Sequence, residues 1–141
     1  MKLKVQKLSP SAKLPEYAHP GDAGMDIFSS EHISLEPDKY LAIATGISVE
    51  IPKGFVGLIW DKSGLSTNHG LKVLGGVIDS GYRGEIRIGI INLSNKVYTF
   101  EVGDKVAQML IQQIENPKIV EVKSLAETKR GHKGFGSTGK K

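Results

Sequence analysis

Leu41, Ile43, Ile47, Val49 and Ile51 all fall on odd positions of residues 40–51, the two-residue period of a strand that turns one face toward a core. Similar short β-branched or alternating runs occur at 2–7, 32–35, 55–60, 85–92, 106–114 and 119–122, punctuated by Gly, Pro, Asn and Asp. Gly46 interrupts the longest run and marks a candidate bulge, because a glycine inside a strand has no side chain to pack. Only 63–68 and 125–129 could be helical, and each is little more than one turn. The pattern predicts an all-β fold, a jelly-roll-like barrel or sandwich with at most one or two short helical turns and with function on its loops.

A chain of 141 residues is long enough for one core and too short for two ordinary domains. Apolar residues make up 39% and charged residues 24%, which separates it from disordered sequences. No apolar run reaches membrane-spanning length, and residues 1–8 alternate lysine with apolar side chains where a signal peptide would be continuously apolar. The expectation is a cytoplasmic protein without a membrane partner. Cysteine is absent, which excludes disulfides, thiolate zinc sites and cysteine nucleophiles.

The net charge of +4 would suit a nucleic-acid binder, but its distribution argues otherwise. Residues 129–141 hold five cations and no acid, leaving 14 of the 19 cations against 15 acids in the body. Phe135 is the only aromatic in that cationic tail, whereas single-strand binding wants several aromatics among the basic residues. From Arg130 the chain reads Arg-Gly-His-Lys-Gly-Phe-Gly-Ser-Thr-Gly-Lys-Lys, too little apolar surface to fold by itself. The expected organisation is a β-domain at 1–129 followed by a flexible glycine-rich arm at 130–141 that a ligand orders.

In five segments, small residues flank a charged or polar one, as close backbone approach to a phosphate requires. They are Ala23-Gly24-Met25-Asp26, Asp61-Lys62-Ser63-Gly64-Leu65-Ser66, Gly76-Val77-Ile78-Asp79-Ser80-Gly81-Tyr82-Arg83-Gly84, Gly103-Asp104-Lys105-Val106-Ala107-Gln108, and 130–139. Taken in order, these resemble the five motifs of the trimeric dUTPase family, from about Ala23 to Gly139. The third segment and Gly-Phe-Gly-Ser-Thr-Gly are the most diagnostic, since packing alone would produce neither.

The resemblance implies a magnesium-dependent homotrimer that hydrolyses dUTP to dUMP and pyrophosphate. Such an activity limits uracil incorporation into DNA and supplies dUMP for dTMP synthesis. The position matching the family's catalytic aspartate is Asp79, which would hold and activate the water that attacks the α-phosphorus; a carboxylate can accept that proton. Locally it could equally be a turn aspartate. Tyr82 matches the ring that packs under deoxyribose and leaves no room for a 2′-hydroxyl. Uracil would be read by backbone groups at Gly75, Gly76, Val77 and Ile78, with Arg87 nearby.

Lys62, Ser63, Gly64 and Gln108 match phosphate-binding positions, with Ser63 a candidate N-cap of the short helix. Asp26 matches the acid that reaches Mg²⁺ through water, in keeping with magnesium's reluctance to dehydrate. Arg130 matches a γ-phosphate clamp, Phe135 a ring that stacks on uracil, and Gly136, Ser137 and Thr138 further phosphate contacts. In the family each pocket draws on two subunits and is closed by the arm of the third.

Three positions depart from the family pattern. Lys62 stands where arginine is usual and supplies a point charge in place of a bidentate fork. Gly81 stands where a second acid is common, which predicts altered hairpin geometry with the chemistry retained. Lys133 also replaces a frequent glycine. A dCTP deaminase shares the Ile-Asp-x-Gly-aromatic pattern but needs a glutamate where this chain has Gly89, and it lacks the terminal arm. A non-catalytic nucleotide-binding module would be expected to have lost Asp79 or Ser63-Gly64, and both are present.

Overall fold

The computed structural model describes residues 1–134. Eleven strands and one helix follow in the order β1 (Lys4–Lys7), β2 (Met25–Phe28), β3 (Ile33–Leu35), β4 (Tyr40–Ala44), β5 (Ile47–Glu50), β6 (Phe55–Trp60), α1 (Ser63–His69), β7 (Leu71–Leu74), β8 (Val77–Ile78), β9 (Arg87–Asn92), β10 (Tyr98–Phe100) and β11 (Lys105–Gln113). The fold is all-β and jelly-roll-like, as the alternation predicts.

Every strand pairing is antiparallel. The largest sheet has the order β2-β11-β6-β8, and a second has β4-β9-β7. Between them lies a core that includes Ile27, Ile43, Ile88, Ile90, Phe100, Val106 and Met109, all essentially inaccessible. The odd-position residues Ile43, Ile47, Val49 and Ile51 are buried, as their period requires.

The long run at 40–51 is two strands, not one. Gly46 adopts φ 66° in the left-handed region, and a Cβ there would come 2.6 Å from Ser9 Oγ and 2.8 Å from Ala12 Cβ. The chain bends at this point, so β4 pairs with β9 while β5 pairs with β1.

Two expected elements do not form. Residues 119–122 pair with no strand among the described residues, and Ile119 is almost fully exposed; β-branched composition without a ladder partner or a covered face does not make a strand. Residues 125–129 are irregular, being too few to offset helix nucleation.

The single helix among the described residues buries no side chain fully, Leu65 packing partly against the core, and its ends are well defined. Lys62 occupies the N-cap in an extended conformation without a side-chain cap, so Ser63 is the first helical residue and not the cap. Gly70 closes the helix in a left-handed conformation, its N–H bonding to Ser66 O at 3.1 Å.

Candidate functional site

The expected residues gather into two groups, with a third set on the terminal segment. The first group lies across the large sheet, where Gln108 on β11 stands opposite Asp26 on β2 and opposite Trp60 on β6. Directly opposed residues project to the same face, so this register puts the carboxylate, the amide and the indole in one row. Gln108 Nε2 donates to Asp61 O at 2.9 Å, tying β11 to the turn that leads into Lys62 and Ser63. Asp61 in turn accepts Val73 N at 2.6 Å and Lys72 Nζ at 2.5 Å, which fixes the entry to α1 against β7.

Asp26 is buried, with its backbone bridged to Glu16 along the outer edge of β2. Lys62 Nζ lies 2.5 Å from Oδ1 and Lys105 Nζ 2.7 Å from Oδ2. The Lys105 contact is an ion pair without hydrogen-bond alignment, so Oδ2 is sealed from solvent with no aligned donor. Lys105 reaches this face through a register shift between Lys105 and Ala107. In a regular strand, residues three apart, such as Lys105 and Gln108, point to opposite faces; one extra residue brings them to the same one. Burial opposes ionisation of Asp26 and is the largest single influence, but Lys105 and Lys62 together outweigh it and hold the carboxyl below its ordinary value. The same contact raises the Lys105 ammonium above its ordinary value.

The second group surrounds a cleft of about 270 Å³ lined by Val77, Ile78, Asp79, Tyr82, Glu85 and Arg87. Asp79 and Tyr82 are the first and last residues of one tight turn closed by Tyr82 N donating to Asp79 O at 3.0 Å. Arg83 Nη1 staples that turn by donating to Ser80 O at 2.7 Å and Tyr82 O at 2.8 Å. β8 ends the large sheet, pairing with β6 on one side only, so among the described residues its outer backbone edge is free. Gly75 and Gly76 make this approach possible: both have positive φ, and a Cβ on Gly76 would sit 2.7 Å from Ile59 O.

Arg87 is held at the cleft wall, Nη2 donating to Ala42 O at 2.7 Å and Nη1 to Glu85 Oε2 at 3.2 Å. Gly81 has ordinary φ, and a Cβ there would meet nothing within 4 Å, so the turn itself does not require glycine at this position. Gly89, the deaminase position, sits in β9 opposite Leu74 and Ala42 and offers no carboxylate.

No side-chain hydrogen bond or ion pair among the described residues joins the two groups, which are linked by backbone through the β6–β8 pairing and the bond from Ile59 N to Gly76 O at 2.8 Å. Arg130 is exposed, its Nε donating to Lys133 O at 2.9 Å. The expected Phe135, Gly136, Ser137 and Thr138 lie outside the described residues. Residue-by-residue reasoning assigns no role to Asp61, Lys105, Arg83 or Glu85, although three of them stand inside the singled-out segments; their roles depend on register and turn geometry.

A divalent cation held by protein oxygens does not fit here. Among the described residues no three acidic or histidine side chains converge, and the buried carboxylate is shared by two ammonium groups. The residues present fit a cation carried by a triphosphate better than one held by the protein, and an outer-sphere role for Asp26 would require Lys105 to move off Oδ2, which is closed to solvent here.

Asp26→Asn should lower stability by about 2 kcal/mol, less than the loss from a fully buried pair because both lysines are partly exposed. The sign follows from the depressed carboxyl: its contribution is complete above the ordinary carboxylate value and disappears as pH falls through the lower folded value. The Lys105 contribution is complete below its ordinary value and disappears only at more alkaline pH. Urea unfolding at neutral and strongly acidic pH should therefore show a difference between the variants that shrinks in acid.

The dUTPase family model matches residues 10–139. The deoxyuridine 5′-triphosphate nucleotidohydrolase of Clostridium tetani is 50% identical over 140 residues, covering 98% of this chain and 97% of the relative. A mutant dUTPase of Staphylococcus bacteriophage 80alpha, solved with dUpNHpp, superposes with a TM-score of 0.92 at 35% identity, covering 98% of both chains. A mutant dUTPase from phage phi11 of S. aureus, solved for its coordination of a structural Mg(II) ion, gives a TM-score of 0.83 at 34% identity, covering 88% of this chain and 98% of that one. Both the turn carrying Asp79 and the row through Gln108 lie within the matched residues, and the chain belongs to the dUTPase family.

Proposed function

We propose that this protein hydrolyses dUTP to dUMP and pyrophosphate, with water held by Asp79 attacking the α-phosphorus. One observation carries this reading: a carboxylate and an aromatic ring stand at the two ends of a single turn, in a cleft beside an open strand edge. The outward-facing N–H and C=O of Val77 on this edge suit the alternating acceptors and donor of uracil and mismatch cytosine. Tyr82 would lie under the deoxyribose. A cleft of about 270 Å³ falls below the usual range for a whole drug-sized ligand, so it suits the nucleoside and leaves the phosphates to other residues.

Those residues are Lys62, Ser63, Gly64 and Gln108, joined by Arg130 and the terminal segment with Phe135, Gly136, Ser137 and Thr138. In the reaction, the water oxygen bonds to the α-phosphorus while the bond from that phosphorus to the bridging oxygen breaks. Asp79 accepts the water proton and pyrophosphate leaves. When bound to the phosphates, Mg²⁺ would supply charge neutralisation for the leaving group, with Asp26 the residue that would face it through water. We take the assembly to be a homotrimer with sites built between copies, a reading that membership of the dUTPase family supports.

The test is pyrophosphate release with Mg²⁺ over dUTP, dCTP, dTTP and UTP, followed by turnover in ¹⁸O-labelled water. dUTP should be the preferred substrate and the label should appear in dUMP. Label in pyrophosphate, or ammonia from dCTP, would overturn the assignment.

A further inference from the structure

The Tyr82 ring is about half exposed, so burial in the core does not hold it in place. Two features do. Its hydroxyl donates to Glu85 O at 3.0 Å, bending the side chain back along its own loop. Between them lies Gly84, over which the ring is laid so closely that a Cβ there would fall 2.6 Å from Cζ and 3.0 Å from Cε2, and closer still to the hydroxyl oxygen. Gly84 has no positive φ, so its backbone conformation is open to any residue. The ring, not the turn, is what requires glycine at this position.

We propose that Gly84 and the carbonyl of Glu85 form a seat that fixes the height of the Tyr82 ring and thereby sets the discrimination against a 2′-hydroxyl; this rests on the function proposed above. Steric exclusion of one oxygen depends on the position of the excluding surface to a fraction of an ångström. A hydroxyl merely added to a substrate is otherwise weakly rejected. An alanine methyl at 84 meets the far end of a side chain with two rotatable bonds, so the ring moves and the backbone stays. Gly84 is on this account a positioning residue that acts only through Tyr82.

The experiment is a double-mutant cycle in the full chain, reading kcat/KM for dUTP and for UTP in wild type, Gly84→Ala, Tyr82→Ala and the double variant. Gly84→Ala should reduce the dUTP preference by about 10-fold, within the range over which a pocket discriminates a single added hydroxyl. In the Tyr82→Ala background the same change should leave the preference within about twofold, since additivity fails only where residues act through one another. An unaltered preference in Gly84→Ala, or an equal loss with and without Tyr82, would overturn the proposal. Thermal unfolding checks that Gly84→Ala is folded; if it is not, Tyr82→Phe decides, because loss of the tether to Glu85 should also weaken the preference and an unchanged ratio would count against the seat. Wild-type protein inactive on dUTP would instead overturn the proposed function itself, and the seat with it.

Discussion

Asp79→Asn is expected to slow pyrophosphate release from dUTP by about 10³-fold, near 4 kcal/mol of lost transition-state stabilisation, while binding of dUpNHpp changes by no more than about threefold. The amide has nearly the shape of the carboxylate and leaves the backbone of the turn intact, including the bond from Tyr82 N to Asp79 O. What it cannot do is take a proton from water. A turn-forming aspartate would give the opposite result, a lowered melting temperature with nearly normal turnover, because side chains at the first turn position act on the local backbone. Stopped-flow release of pyrophosphate, isothermal titration with dUpNHpp and a melting curve on the same preparation separate the two.

The sequence discloses the fold more fully than the site. Phe55–Trp60 forms with the ends its composition suggests, and the odd-position residues of 40–51 are buried, apart from the half-buried Leu41. Met25–Phe28 escapes a period-based reading because all four of its residues are buried, including Asp26, so no alternation survives. Tyr98–Phe100 is too short to show a period, and 119–122 has strand composition without a partner.

At the site, residue types reveal which groups can do chemistry, and resemblance reveals which of them do. Neither shows Lys105 beside Asp26, since that contact depends on a bulge that reverses which face Lys105 occupies. The seat of Tyr82 is equally hidden. A glycine two residues past a tyrosine reads as an ordinary loop residue, although the ring leaves no room for a side chain there.

Removing 130–141 should lower kcat/KM for dUTP by about 100-fold or more, since a stacked base and a charge-assisted clamp are each worth about 1–3 kcal/mol. The oligomeric state should not change. Among the described residues, hydrogen bonds at 128–133 run only within that segment, from Gly131 N to Thr128 O and between Arg130 and Lys133. The truncation therefore removes no described hydrogen bond to the sheets. Binding energy spent on holding the triphosphate for attack should appear in kcat as well as in KM, because misplaced phosphates lose in-line geometry. Arg130→Ala in the full chain should reproduce part of the loss and weaken its dependence on ionic strength, as expected when a screened charge contact disappears. Size-exclusion chromatography with light scattering, run beside the pyrophosphate assay, reads both quantities. A truncated chain that dissociates into monomers would mean that the segment serves assembly, and a fully active one would mean that the site closes without it.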